Sequence, residues 1–298
     1  MNKIPLVSFI TVNYNGQSDT IDLIESLQKY ISIPYELIVV DNASVQDETI
    51  RIKAQFPDVI CIRSEVNLGF SGGNNLGIRE SKGEYLFFIN NDTFIEDNSI
   101  EKLIPFFESN PQIGGVSPKI KYADNSGIIQ YAGSTPLSSI SLRNQTIGLG
   151  EKDLGQYDTP YPTSFLHGAA MMIRRSVIKK VGEMPEIFFL YYEEIDWSTQ
   201  ILNAGYQLWY APFCTVFHKE SRSVGVESPL KAFYMTRNRL LYAWRNRTGI
   251  KRLLAIAYLL MVVSSKNGIQ ALLKQRFDIV KAIHKGNFTF IKLKSKLQ

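Results

Sequence analysis

The feature that most constrains this chain is a unit repeated along its first ninety residues: a short apolar run rich in β-branched residues, a polar turn, then a helical segment. Leu6–Val12 is the first such run and ends in Asn13, Asn15 and Gly16. It reads as a buried parallel strand, whose two covered faces favour continuous rather than alternating apolar residues. Ile21, Ile24 and Leu27 then recur at helical spacing until Pro34, with Ser18 or Asp19 placed to cap the segment. Tyr35–Val40, Val59–Ile62 and Tyr85–Ile89 repeat the strand pattern, with helices expected over Ile50–Phe56 and Ser71–Ser81. The alternation predicts an α/β fold: a mixed, mostly parallel sheet flanked by helices. Ligands of such sheets bind beyond the carboxyl ends of the strands, where this chain carries Asn13, Asp41 and Asn90–Asp92.

Past residue 122 the pattern loosens into a segment rich in Gly, Ser, Thr and Pro, as expected of a substrate-facing excursion. Helices are then expected at Arg174–Lys180, Glu193–Leu202 and Pro229–Arg245, and strands at Gln207–Tyr210 and Cys214–Phe217. The 298 residues divide on this reading into an α/β domain over 1–225, with a regular half over about 1–120 and a looser half over about 121–225, and a helical, basic region over 226–298.

Charge separates the two regions. From Arg245 to Gln298 there are twelve Lys or Arg against one acid, Asp278, a net of +11; the rest of the chain carries −6. A tail of that sign suits an anionic surface, and its run Leu253–Val263 is shorter than a bilayer requires. The expectation is a cytoplasmic protein held peripherally at the inner face of the membrane, with burial of the tail against protein as the other reading. Two cysteines are too few for a disulfide framework, and the first residues lack the long apolar stretch of a signal peptide.

Four motifs occur in order: Val7–Gly16, Glu36–Ser44, Asn67–Asn75 and Tyr85–Thr93. With Gly168–Arg174, Tyr191–Trp197 and His218 they resemble family 2 glycosyltransferases, in particular the rhamnosyltransferase-like branch, over roughly residues 5–240. The resemblance implies a GT-A fold, with 1–225 as the catalytic domain, its nucleotide-binding half over about 1–120 and its acceptor-facing half over about 121–225, and an inverting transfer. The sugar would come from a nucleotide-diphosphate donor, dTDP-rhamnose or a UDP-hexose, and pass to a glycan or lipid-linked acceptor of cell-surface polysaccharide such as O-antigen or capsule. It also implies a divalent cation, Mg or Mn.

The same resemblance assigns residues. Thr11, Asn13, Asn15, Asn90 and Asn91 fall where the donor is bound, and Asp41 where an acid meets the imide of uracil or thymine, although Asp-Asn-Ala-Ser also reads as a plain turn. Asn67, Gly69, Gly72 and Asn74 open a helix whose free N–H groups suit a nucleotide; a tight loop needing glycine is the other reading. Asn90-Asn91-Asp92 occupies the position of the family's metal-binding Asp-x-Asp, with an amide for the first carboxylate, and His218 resembles a histidine of the same site. Glu194 falls where the catalytic base is expected, and Glu193, Trp197 and Gly168 beside the acceptor. Helical spacing puts Ile195, Thr199 and Leu202 on a core face and Glu194 with Trp197 on a cleft face. Arg237 is a candidate phosphate contact.

Several rivals are weaker. A sugar nucleotidylyltransferase needs a Gly-rich triphosphate loop after its first strand, where this chain has Asn13-Tyr-Asn-Gly16. A processive synthase needs several spanning helices. Nucleic-acid binding would use the basic tail, which shows no recognition motif. A degenerate nucleotide-binding scaffold of an assembly complex draws support from Asn90. Oligomeric state is left open.

Overall fold

The computed structural model describes residues 7–220 and 228–294. The first half alternates as expected: β1 (Val7–Asn13), α1 (Gln17–Tyr30), β2 (Tyr35–Asn42), α2 (Glu48–Gln55), β3 (Ile60–Ser64), α3 (Gly69–Glu80) and β4 (Tyr85–Ile89). Next come β5 (Thr93–Phe94), α4 (Leu103–Ser109), β6 (Ile113–Tyr122), β7 (Ile129–Tyr131), β8 (Tyr161–Pro162), β9 (Ala170–Arg174), α5 (Arg175–Val181), α6 (Glu193–Asn203) and β10 (Gln207–His218). Four helices end the chain: α7 (Pro229–Asn246), α8 (Gly249–Tyr258), α9 (Ser265–Leu273) and α10 (Phe277–Lys294).

All ten strands join one sheet whose main path is β3-β2-β1-β4-β9-β6-β10-β5. β1, β2, β3 and β4 are parallel, as are β6 and β10, while β9 runs antiparallel to both β4 and β6. β9 therefore joins the two parallel blocks and keeps their carboxyl ends on one edge. The β4 sequence YLFFI is buried at all five positions because strands flank it and helices cover it. The two strands expected over Gln207–Phe217 are one strand with a register shift between Tyr210 and Thr215.

Local chemistry departs from the expectation at two helix starts. α1 is capped at Gly16, with Asp19 inside its first turn, rather than at Ser18 or Asp19. On α6 the buried residues are Glu193, Asp196, Trp197, Ser198 and Ile201, so the expected core face is rotated, and Leu202 is exposed.

The expected domain boundary near 225 lies outside the described residues. The C-terminal helices share a core with the catalytic region: Leu240, Leu241, Ala255, Leu259 and Phe290 pack with Phe188 and Tyr192. The apolar helix of the tail is longer than Leu253–Val263. Gly249–Leu273 spans 25 residues, long and apolar enough by length and composition to cross a bilayer; its most apolar window has a mean hydropathy of 1.3, and only 17% of that window is buried.

Candidate active site

The ends of β1 and β2 are tied together by side chains. Asn13 Nδ2 donates to Glu48 Oε2 at 2.7 Å, and Thr20 Oγ1 donates to Asn13 Oδ1 at 2.9 Å. Asn15 takes a left-handed conformation, with its N–H on Ser44 Oγ at 2.8 Å and its Oδ1 receiving the Val45 N–H. Thr11 is buried, and its Oγ1 has no partner. Asp41 is fully buried: Oδ1 accepts from Ser44 N at 2.8 Å, and Oδ2 from Glu48 N and Arg63 Nη1 at 3.1 and 3.3 Å. In this conformation Asp41 organises the 41–48 turn beneath Arg63.

The glycines of α3 serve packing. At Gly69 the φ is +71°, and an added Cβ would overlap the carbonyl oxygen of Phe189, which accepts from Phe70 N at 2.7 Å. An added Cβ on Gly73 would press on Val12 and on Gly77 on Ile10, while at Gly72 it would meet Leu68 of its own turn. Asn74 is buried and bonds back to the Phe70 carbonyl; Asn67 is exposed and accepts from Gly69 N. The tight-loop reading thus accounts for these residues in this structure, and no backbone cradle is needed to explain Gly69. Gly69→Ala combines a strained φ with a backbone clash. It should destabilise the fold by about 2 kcal/mol or more, read as a lowered midpoint in urea unfolding; an unchanged midpoint would show that the Phe189 contact gives way freely.

The strand ends converge on a compact polar cluster. His218 at the end of β10 pairs with Thr93 of β5, which brings the imidazole beside Asp92. His218 Nε2 lies 3.2 Å from Asp92 Oδ1 and 3.4 Å from the Asn90 amide nitrogen. Its Nδ1 lies 2.7 Å from Gln130 Oε1, and its Nε2 faces the Asp92 carboxylate. Asp92 is buried with Oδ2 unpartnered. The imidazole nitrogen and the orphaned carboxylate oxygen lie close enough to serve as two donors to one cation. An oxygen and an imidazole suit a divalent metal, and rotation of the Asn90 amide supplies a second oxygen. Among the described residues no group of three or more His, Cys, Asp or Glu side chains is placed to hold a metal, so such an ion would need further ligands. Asn91 turns away and donates to Thr20 Oγ1 and the Gly16 carbonyl.

The other wall is the turn before α6. Phe189, Tyr191 and Tyr192 all have positive φ, a cluster of left-handed residues that must be held from outside. Arg237 and Asn238 of α7 hold it: Asn238 Nδ2 faces the carbonyls of Phe188, Leu190 and Tyr191 at 2.7–2.9 Å, and Arg237 Nη2 donates to those of Ile187 and Phe188. Arg237 is buried, with its guanidinium 4.7 Å from the Tyr234 ring centroid, so it serves this turn rather than a phosphate. Asn238→Ala would take the side-chain donor from the Leu190 and Tyr191 carbonyls, while Phe188 keeps Arg237. It should cost about 1–3 kcal/mol and lower kcat; a variant with full stability and full kcat would remove the clamp from the account.

That turn aims two carboxylates. Glu193 is buried with Oε2 unpartnered, and burial raises its pKa well above the usual range. Glu194 is half-buried, and desolvation pushes its pKa up to about 7. Asp196 is fully buried and accepts from Arg245 and Asn246, tying α6 to α7. Trp197 is not beside the acceptor. It is 1% exposed, its indole N–H donates to the Gly182 carbonyl, and its ring packs edge-on against Phe88. Gly168 is half-buried, and a Cβ there would just touch Phe70. Its neighbour His167, which the sequence did not single out, accepts from Ala169 N through Nδ1; burial and then the nearby His218 lower its pKa to about 3. It is a neutral imidazole whose remaining proton is on Nε2.

Polar residues at the ends of β1 and β2, the Asp92–His218 cluster and the half-buried Glu194 are thus the chemistry-bearing groups of a mixed sheet. The model of glycosyl transferase family 2 matches residues 8–182. The chain belongs to that family. Among curated relatives of this glycosyltransferase, a low-salt glycan biosynthesis hexosyltransferase of Haloferax volcanii is 30% identical over 240 residues, covering 79% of this chain and 74% of the relative. An N-acetylglucosaminyl-diphospho-decaprenol L-rhamnosyltransferase of Mycobacterium tuberculosis is 23% identical, covering 72% and 76%. Among solved structures, a mannosyltransferase of Pyrobaculum calidifontis in complex with GDP-Man and Mn2+ superposes with a TM-score of 0.60 at 14% identity, covering 96% of this chain and 88% of that one. The fold of this glycosyltransferase is GT-A.

Gln130, His167 and Asn238 escaped the sequence reading. Gln130 and His167 lie in the segment without periodicity, and Asn238 is one polar residue on a long helix.

Proposed function

We propose that this glycosyltransferase inverts the anomeric centre of a nucleotide-diphosphate sugar, a dTDP- or UDP-linked hexose or deoxyhexose, in transfer to a glycan acceptor of cell-surface polysaccharide. The observation that carries the reading is the pair of poised groups on one sheet edge: Asp92 with His218, arranged for a cation, and Glu194, a carboxylate that ionises near neutrality. The relatives' names support glycan assembly and a diphospholipid-linked acceptor.

Asp92, His218 and Asn90 would hold a Mg or Mn ion, which when bound offsets charge on the departing diphosphate. Glu194 would accept the proton of the acceptor hydroxyl as that oxygen attacks the anomeric carbon from the face opposite the leaving group. Its raised pKa leaves it ionised above about pH 7 and basic enough to take a proton. Glu193 sits behind it, and Arg237 and Asn238 fix the turn that aims both. The basic tail supports a peripheral position on the inner face of the membrane.

The test is thermal stabilisation by UDP-, dTDP-, GDP- and CMP-sugars with and without Mn2+, followed by product analysis with the donor that responds. A metal-dependent shift with a UDP- or dTDP-sugar and a product of inverted configuration is expected. A retained configuration would rule out direct displacement, and a response confined to GDP-sugars would overturn the donor assignment.

A further inference from the structure

A cavity of about 620 Å³ lies away from this site, between α7, the helical span 249–273 and α10. Its size falls within the usual range of small-ligand sites. Met235, Leu240, Leu259, Val263, Ile279 and Ile283 make its walls apolar. Its charged lining residues are all cationic: Lys231, Arg239, Lys274 and Arg276, the last paired with Asp278. Arg239 donates through Nη2 to the Ser141 carbonyl, while its buried Nε has no acceptor. One wall includes the π-helical turn Leu259–Ser264, a costly geometry that concentrates at functional sites.

The surroundings say what kind of ligand fits. Met235 and Leu273 line the cavity and are themselves 37% and 81% exposed, so it opens onto the surface. That surface continues through exposed Leu253, Leu254, Met261, Val262 and Ile269, on a tail with a net charge of +11. An apolar stripe in a cationic field matches an anionic bilayer in both respects. The polar stretch Ser264–Gly268, with Lys266 exposed in the middle of the 25-residue span, favours lying in the interface over crossing.

We propose that this face rests on an anionic phospholipid surface and that the cavity takes one acyl chain of a lipid whose phosphate is met by the cationic lining. The proposal rests on the peripheral-membrane reading above, and the experiment separates the two. The full chain is floated with vesicles of phosphatidylcholine alone and of phosphatidylcholine with phosphatidylglycerol. Its melting temperature is recorded with dodecyl phosphate below the micelle concentration, with dodecanol and with inorganic phosphate. Ala232→Trp and Asn267→Trp fill the cavity from opposite walls, so one misfolded variant does not end the test.

Expected are flotation with the anionic vesicles only and a melting shift with dodecyl phosphate that inorganic phosphate does not reproduce. Both tryptophan variants should lose the shift and bind vesicles roughly tenfold more weakly. Variants that keep the shift, or an equal shift with inorganic phosphate, would overturn the chain-binding cavity while leaving membrane attachment standing. No flotation together with a stable dimer would overturn both readings and assign the face to a second copy of this chain.

Discussion

Glu194→Gln should lower kcat by about 10²- to 10⁴-fold, the usual share of a general base, with donor KM nearly unchanged. The amide keeps the shape of the side chain and cannot take the proton. The pH dependence gives a second, independent reading. Burial lifts the Glu194 carboxyl from 4.5 to about 7, so between those values the folded protein holds a proton that the unfolded chain has released. Stability therefore falls as pH rises through that window, while activity rises toward its plateau above it. Glu194→Gln should flatten the stability slope as well as abolish turnover, and urea titrations across the window measure the first without any substrate. Glu193 titrates with its neighbour, so the paired variant decides the assignment. If Glu193→Gln were the inactive enzyme and Glu194→Gln retained most of its kcat, the roles of the two carboxylates would be reversed.

Asp92→Asn should be comparably severe. Among the described residues Asp92 is the sole carboxylate in the His218–Asn90 cluster, and removing it should cost several kcal/mol of charge stabilisation, on the order of 10³-fold in kcat/KM. The unpartnered Oδ2 makes a prediction of opposite sign for stability. In the presence of a chelator the variant should melt higher than the parent, because a buried carboxylate oxygen without a partner has been removed. The stabilisation by Mn2+ should vanish at the same time. Asn90→Asp should do the reverse, lowering the chelated melting temperature and tightening Mn2+ binding. A parent protein that shows no Mn2+ response, with Asp92→Asn fully active, would separate this cluster from catalysis.

The repeating α/β units were legible because β1, β2 and β4 are largely buried on both faces and α1 on one, so periodicity carries the assignment. β9 was not, since Ala170–Arg174 reads equally well as the approach to a helix, and only the sheet shows it wedged between β4 and β6. The polar residues at the strand ends were found, because topology sends them to one edge. What each does there depends on tertiary neighbours. Gly69 looked like a nucleotide cradle and answers to the Phe189 carbonyl, whereas Arg237 looked like a phosphate clamp and answers to a strained turn. Trp197 was misplaced because the stripe on α6 admits two phases that differ by about one residue. The buried Glu193-Asp196-Trp197 face, which includes two acids, argued for the wrong one.

The wedge of β9 also bears on how the chain is made. β4 emerges from the ribosome some eighty residues before the strand that completes its pairing. Until then YLFFI presents a wholly apolar edge on the side away from β1, the kind of segment that templates aggregation. A fragment ending near residue 120 would keep that edge permanently open. The nascent protein thus depends on late-synthesised residues to seal its earliest sheet, and slow translation between β4 and β9 would lengthen its exposure to chaperones and to misassembly.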